Sequence, residues 1–350
     1  MQMAGIRPAN PRETSAVNTI NRSRLTLLPI VAALAVSTSV AQVPTQQPVL
    51  QHTPVEMVDT LHSVFGDHHA RAIHTKGIML EGTFAPAPSA ASVSSAPHLQ
   101  KKSVPVVVRF SNFAGIPTVA DNDGMAAPRG MALRFKLPDG SSTDMVTHSF
   151  NGFPSENADQ FRELLEAIAA SGPTAAKPTR LDGYLETHPT AKAFLTTPKP
   201  APVSYGTLPY FGVNTFKFTA ATGKITYGRY QIIPVAPAEY LPDDQAKNKE
   251  PNYLQAEITQ RVSKGLIQFK LLLQIAEKDD HIDDPTVAWP DSRQKVALGT
   301  ISIAKAIPDS TAEEKKIVFM PNSLPKGIEV EDQMINFRSA AYGVSFGKRQ

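Results

Sequence analysis

From Val104 onward the chain consists of short apolar or alternating runs cut by Gly, Pro and Asp, and that rhythm limits the fold more than any other feature. Residues 104–111, 130–137 and 143–150 form one such group, and 211–219, 225–234, 267–274 and 296–303 continue it. Runs of about 8 residues bounded by turn formers are the length of strands and too short for ordinary helices. Helical spacing occurs in isolated blocks: Phe161, Leu164, Leu165 and Ile168 within 156–170, and Leu254, Ile258 and Val262 after Pro251. Helices in blocks, without strict strand-helix alternation, predict an α+β fold in which strands pair antiparallel.

The N-terminus is read separately. Arg22 and Arg24 precede an apolar run over 25–36, and small residues follow, with Ser39 and Ala41 placed for cleavage after Ala41. That is the pattern of a secretory signal at 1–41. The run is shorter than the roughly 20 apolar residues that span a bilayer. The expectation is a periplasmic or secreted protein without stable membrane insertion once cleaved. Residues 42–54, rich in Gln, Thr and Pro, read as a flexible lead, 55–350 as one domain, and 85–98, rich in Ala, Pro and Ser, as a surface loop.

Removing the leader changes the charge balance. It holds four of the 35 Lys and Arg and one of the 32 Asp and Glu, leaving 31 of each. A neutral chain gives no reason to expect nucleic acid or an anionic membrane as partner. Cysteine is absent. The fold must therefore rest on its core, and thiolate ligands and thiol-based peroxide chemistry are excluded.

Two segments carry chemistry. Arg338 and Tyr342 stand four residues apart, so on a helix they share one face and the guanidinium can reach the phenolic oxygen. Alone, such a pair is an ordinary helix contact. His74, in Arg71-Ala72-Ile73-His74-Thr75-Lys76-Gly77, lies in a stretch that also holds His62, His68 and His69. The adjacent pair His68-His69 lacks helical ligand spacing and reads as solvated surface. The acidic run 279–284 lacks the glycine and distal glutamate of a calcium loop, and no glycine-rich phosphate loop follows a strand.

In order and spacing these segments resemble the haem catalases. The likeness extends from about His62 to the end through Val106-Val107-Val108-Arg109-Phe110-Ser111, Pro128-Arg129-Gly130-Met131-Ala132 and Asp144-Met145-Val146. It continues through Phe211-Gly212-Val213-Asn214-Thr215-Phe216-Lys217-Phe218, Asp284-Pro285-Thr286, Trp289-Pro290 and Gly327-Ile328-Glu329. The whole resembles the compact catalase-related peroxidases. The resemblance implies a catalase-like antiparallel β-barrel with flanking helices, and haem b as cofactor.

The resemblance also implies roles. Tyr342 corresponds to the axial ligand of the haem iron, with Arg338 beside it favouring the phenolate. His74 corresponds to the group that moves the peroxide proton, and Ser111 to its hydrogen-bonding partner. Arg71, Arg109 and Arg349 correspond to arginines that bind the haem propionates. Phe150, Phe153 and Phe161 are haem-packing candidates and equally good core residues.

One departure stands out. Full catalases follow the residue matching Val146 with Gly-Asn-Asn, whereas this chain has Thr147-His148-Ser149. The family's peroxide-orienting amide is thus replaced by His148. The expected activity is that of a peroxidase using a peroxide and an organic electron donor, with weak catalase activity, as a monomer or homodimer. The alternatives are a low-turnover catalase, a fatty-acid hydroperoxide isomerase, and a haem carrier or sensor.

Overall fold

The computed structural model describes residues 50–350; the expected leader and residues 42–49 of the expected lead lie outside the described residues. The described end of that lead is docked, not loose. The Gln51 backbone N–H donates to Asp159 at 2.8 Å, and His52 Nδ1 lies 2.9 Å from the same carboxylate. Helix α1 (Pro54–Phe65) then starts on a capping box in which Thr53 and Glu56 satisfy each other's backbone N–H groups, with Pro54 in its first turn.

The strands are β1 (Gly77–Pro86), β2 (Val104–Ser111), β3 (Gly130–Lys136), β4 (Ser142–His148), β5 (Tyr210–Phe211), β6 (Phe216–Thr219), β7 (Ile225–Pro234), β8 (Ile267–Ile275), β9 (Lys295–Ala306) and β10 (Ile328–Val330). Pairing runs β7-β5-β4-β3-β2-β1-β9-β8 and returns to β7, which closes an eight-stranded antiparallel barrel; β6 and β10 extend from β7. Among the helices, α2 (Ala158–Ala169), α3 (Arg180–Thr187) and α4 (Pro189–Thr196) follow β4. Further on, α5 (Asp243–Lys247) and α6 (Tyr253–Lys264) follow β7, α7 (Ser310–Lys316) follows β9, and α8 (Met334–Lys348) ends the chain. The α+β barrel expected from the sequence is the fold observed.

Side chains alternate across each strand. In β2, Val106, Val108 and Phe110 point into the barrel, where they meet Leu80 and Phe84 of β1 and Leu133 and Phe135 of β3, all buried. Each such side chain contributes about 1.5–3 kcal/mol through burial. The opposite face of β2 to β4 points outward and is covered by helices. Met57, Val58 and Leu61 of α1, Ala158 and Leu165 of α2 and Ala341 of α8 form a second apolar cluster there.

Three expectations need correction. Residues 85–98 are not a surface loop: β1 runs through Pro86, two 3₁₀ turns follow, and Ala90, Val93, Ala96 and His98 are buried with Leu99 in the main core. Small side chains there allow tight turns that press against the barrel. The run 211–219 is two strands, because the backbone breaks between Phe211 and Phe216. Strand β1 itself lies before the first expected strand; Gly82 hides it, and is required because a Cβ there would collide with the Ser302 carbonyl, where the β1–β9 register shifts.

Two measurements check this packing. Leu99→Ala should destabilise the protein by about 2–5 kcal/mol in denaturant unfolding, the cost of a core cavity, whereas a surface loop would give within about 0.5 kcal/mol. His98 stacks on Phe135 with centroids 5.1 Å apart, its Nδ1 has no partner, and burial pushes its pKa down to about 4 from 6.5. The unfolded chain therefore binds a proton that the folded chain refuses, and stability is lost as pH falls from about 6.5 toward 4. His98→Phe should flatten that loss by up to about 1.4 kcal/mol per pH unit.

Candidate active site

Between the outward face of β2 to β4 and the helices α1, α2 and α8 lies a cleft with about 1330 Å³ free of protein atoms, its open mouth included. Most of its lining is apolar, with Val58, Leu61, Val146, Phe161, Met334 and Phe337 among it. The polar groups are concentrated in three places.

On the strand side stands His74. Its backbone adopts φ +57°, a left-handed conformation that is costly without glycine, held by its N–H donating to Phe113 O at 2.8 Å and by Thr75 N–H donating to Ala114 O at 3.2 Å. The ring packs edge-on against Phe113, and Nδ1 lies 3.2 Å from Ser111 Oγ. Gly130, directly across the ladder from Ser111, makes this contact possible. A Cβ at Gly130 would stand 2.5 Å from Ser111 Oγ and 2.8 Å from His74 Nδ1. Across the next ladder from Gly130 is His148, whose two ring nitrogens are buried without a hydrogen-bond partner. Burial, with nearby positive charge, pushes the pKa of His74 and of His148 down to about 3, so both rings are neutral near pH 7.

On the helix side, Arg338 and Tyr342 of α8 meet as their spacing predicts. Arg338 Nη2 and Nε donate to the Tyr342 hydroxyl at 2.9 and 3.2 Å. Arg338 also donates through Nη1 to Asn214 Oδ1, and Asn214 Nδ2 donates to Asp332 at 2.7 Å. The guanidinium is thereby fixed from behind. Burial raises the Asp332 pKa above its ordinary value, opposed by Asn214 and the Met334 N–H.

The third group is a cluster of arginines. Arg109, 3% exposed, donates to Glu314 at 2.7 Å and to Thr75 O at 3.0 Å; Arg71 donates to the same carboxylate at 3.2 Å and to Ile317 O, which also accepts from Arg349 at 2.8 Å. Two cations therefore share one carboxylate, and the third, Arg349, joins the cluster through the Ile317 carbonyl. Burial and mutual repulsion push the Arg71 pKa well below its usual value and that of Arg349 down to about 10. The Nε atoms of Arg109 and Arg349 are buried without partners.

All the residues singled out from the sequence except Phe150 line this cleft: Arg71, His74, Arg109, Ser111, Phe153, Phe161, Arg338, Tyr342 and Arg349. Phe150 stands outside the lining and packs edge-on against Phe194, which does line it. Glu314, Asp332 and Phe194 were not legible as site residues. Glu314 carries no local motif, and Asp332 matters only through Asn214, more than 100 positions away in the chain.

A sequence model of the catalase family, described as Catalase, matches residues 47–349. The chain belongs to the catalase family. It is 36% identical over 300 residues to the catalase-related peroxidase of Mycolicibacterium paratuberculosis, covering 84% of this chain and 93% of that protein. It is 31% identical to the catalase-related peroxidase of Synechococcus elongatus, covering 85% and 88%. The structure of catalase A from Saccharomyces cerevisiae superposes with a TM-score of 0.72 at 19% identity, over 80% of this chain and 61% of that one. That likeness shows the shared fold.

Catalase-family proteins bind haem, and this catalase-family cleft fits one. Haem brings two carboxylates, for which the arginine cluster has unmatched positive charge and orphaned N–H donors. It brings a flat apolar ring, which the apolar walls suit, and an iron, for which the Tyr342 phenolic oxygen, held by Arg338, is a candidate ligand atom. Gly130→Ala should leave the barrel folded at a cost of about 1–3 kcal/mol from overpacking while displacing His74 from Ser111. Thermal unfolding reads the first effect, and stopped-flow reaction with peroxide should be slowed by up to about 100-fold.

Proposed function

We propose that this chain is an exported haem b peroxidase that reduces hydrogen peroxide or organic hydroperoxides with electrons from an organic donor, and that disproportionates peroxide only weakly. A haem-dependent oxidoreductase acting on peroxide follows from the family. The finer reading rests on one observation above all: a neutral imidazole anchored by Ser111 and a phenolic oxygen held by Arg338 face the same apolar cleft. Export is supported by Arg22 and Arg24 ahead of the apolar run and by Ser39 and Ala41 after it, which points to the periplasm or the exterior.

Tyr342 would hold the iron, and Arg71, Arg109 and Arg349 the propionates. Bound haem supplies the redox chemistry that breaks the O–O bond. The chain supplies the proton handling and the surroundings. His74, neutral and with one nitrogen engaged at Ser111, takes the proton of the peroxide hydroxyl and returns it to the departing oxygen. Ser111 fixes the ring orientation, and the apolar walls keep water from competing for the proton. Arg338 neutralises charge on the Tyr342 oxygen, itself held through Asn214 by Asp332.

The balance between the two peroxide reactions follows from the segment after Val146. Disproportionation requires a second peroxide to be held and oxidised before another donor arrives. The amide that orients it in full catalases is absent here, so donor oxidation competes.

The experiment that tests the whole is an absorption titration of the purified protein with hydrogen peroxide and with an organic hydroperoxide, with and without a phenolic donor. Tyr342→Phe should lose stable ferric haem; unchanged haem content and spectrum would exclude it as ligand. His74→Gln should keep haem and slow the reaction with peroxide by about 100-fold or more, and rates within a factor of about two of wild type would move the proton transfer elsewhere. On an oxygen electrode, a phenolic donor should suppress oxygen release. Turnover comparable to a full catalase with no donor oxidation would exclude the peroxidase assignment.

A further inference from the structure

We propose that His148 is a second proton-carrying group of the cleft, working as a pair with His74. The inference rests on the haem peroxidase reading and extends it to a residue whose own chemistry that reading leaves open.

His148 ends β4 on the outward face, in the same cross-strand row as Gly130 and Ser111. Because Gly130 has no side chain, nothing projects from the strand between the one that carries Ser111 and the one that carries His148. Both imidazoles line the cleft. Both nitrogens of His148 are buried and make no hydrogen bond of normal geometry, although the nearby Phe150 backbone favours the charged ring, and a buried polar group left so is costly. Val146, two residues earlier on the same strand face, is apolar, so the position has no need of a polar side chain for the fold. Contact with the Phe153 ring, 6.5 Å away between centroids, could be made by any aromatic residue. A ligand entering the cleft is what would satisfy the two nitrogens.

The chemistry has a place for it. Reduction of a hydroperoxide by an external donor, ROOH + 2 e⁻ + 2 H⁺ → ROH + H₂O, consumes two protons, whereas disproportionation draws them from the second peroxide. His74 moves the proton that the peroxide already carries, from one oxygen to the other. The two additional protons must enter the cleft with the donor's electrons. A neutral imidazole accepts a proton on one nitrogen and releases one from the other, which an amide cannot do. The charged and titratable groups around His148 are Arg338 of α8, Lys199 beyond α4 and His74. No carboxylate is among them to trap the ring as a cation, so it can pass a proton on.

Hydrogen cyanide tests the assignment without turnover, because it binds ferric haem as the anion and leaves its proton on a base of the cleft. Wild-type protein, His148→Leu and His148→Asn are loaded with haemin, and cyanide affinity is read from the Soret band. Both variants should bind cyanide about 10-fold more weakly, and the double variant with His74→Leu should lose less than the product of the single losses. The haem-free His148→Leu protein should melt at or above the wild-type temperature, since a buried unpaired group has been removed. Wild-type affinity in both variants would overturn the proposal. Weakening in His148→Leu alone would reduce His148 to a hydrogen-bond donor and overturn its proton-carrying role. Loss of the Soret band in the variants alone would make it a haem-packing residue and equally overturn it. A wild-type protein without a Soret band would instead overturn the haem reading on which the proposal rests.

Discussion

Residues directly opposite one another in an antiparallel ladder share a face of the sheet. The pairings Ser111↔Gly130↔His148 and Arg109↔Ala132↔Val146 therefore fall on one surface, while Phe110↔Met131 and Val108↔Leu133 fall on the other. Arg109, Ser111 and His148 share the cleft face because of that alternation. A slip of one residue in β2 would send Arg109 into the barrel and Phe110 into the cleft. An unpaired guanidinium inside an apolar barrel costs several kcal/mol, so the core and the site fix the same register. The barrel is the reason His74, which lies on the segment before β1, finds Ser111 at all: its main chain is tied to Phe113, just beyond the end of β2.

Charge is distributed across the cleft in two ways. Behind Tyr342, the positive charge of Arg338 is anchored through Asn214 to a buried carboxylate, a local arrangement that needs nothing from outside. Around Glu314 the balance is incomplete: two guanidinium groups pair with one carboxylate, and a third, Arg349, is held close by through the Ile317 carbonyl. Bringing Arg71, Arg109 and Arg349 together costs repulsion, and a ligand carrying two carboxylates relieves it. A ligand bound only by the folded state also stabilises that state by mass action, so cofactor binding and folding are coupled here.

Much of the fold was legible because apolar runs and turn formers obey the period of a strand; β2, β3, β4, β7 and β8 lie within a residue or two of where that pattern puts them. What hid the rest has identifiable causes. The Thr53/Glu56 capping box is a local signal for α1, but Gln, Thr and Pro around it read as a loose lead. Ala and Ser in 85–98 look like loop composition, although at close quarters small residues are what allow a turn to pack in a core. For the site, Arg338, Tyr342 and His74 stood out through the resemblance to haem catalases, because the spacing of the first two is by itself that of an ordinary helix contact. Glu314 and Asp332 act through residues remote in sequence, and no local pattern announces such a partner. Gly130 stood within a quoted motif, but its reason, room for His74 against Ser111, exists only in three dimensions.

The apolar wall and the acid-base groups are parts of one device. Burial holds His74 and His148 well below 6.5, so at neutral pH each ring keeps a free lone pair. Were the helices to withdraw and admit water, both values would climb back toward that of an exposed imidazole. Near neutrality a fraction of each ring would then already carry a proton, could accept no other, and would repel its neighbour. Met57, Val58 and Leu61 of α1 and Leu165 of α2 pack as apolar side chains on this side of the barrel. By keeping this side of the barrel dry they hold both imidazoles in the neutral state that the proposed proton transfers require.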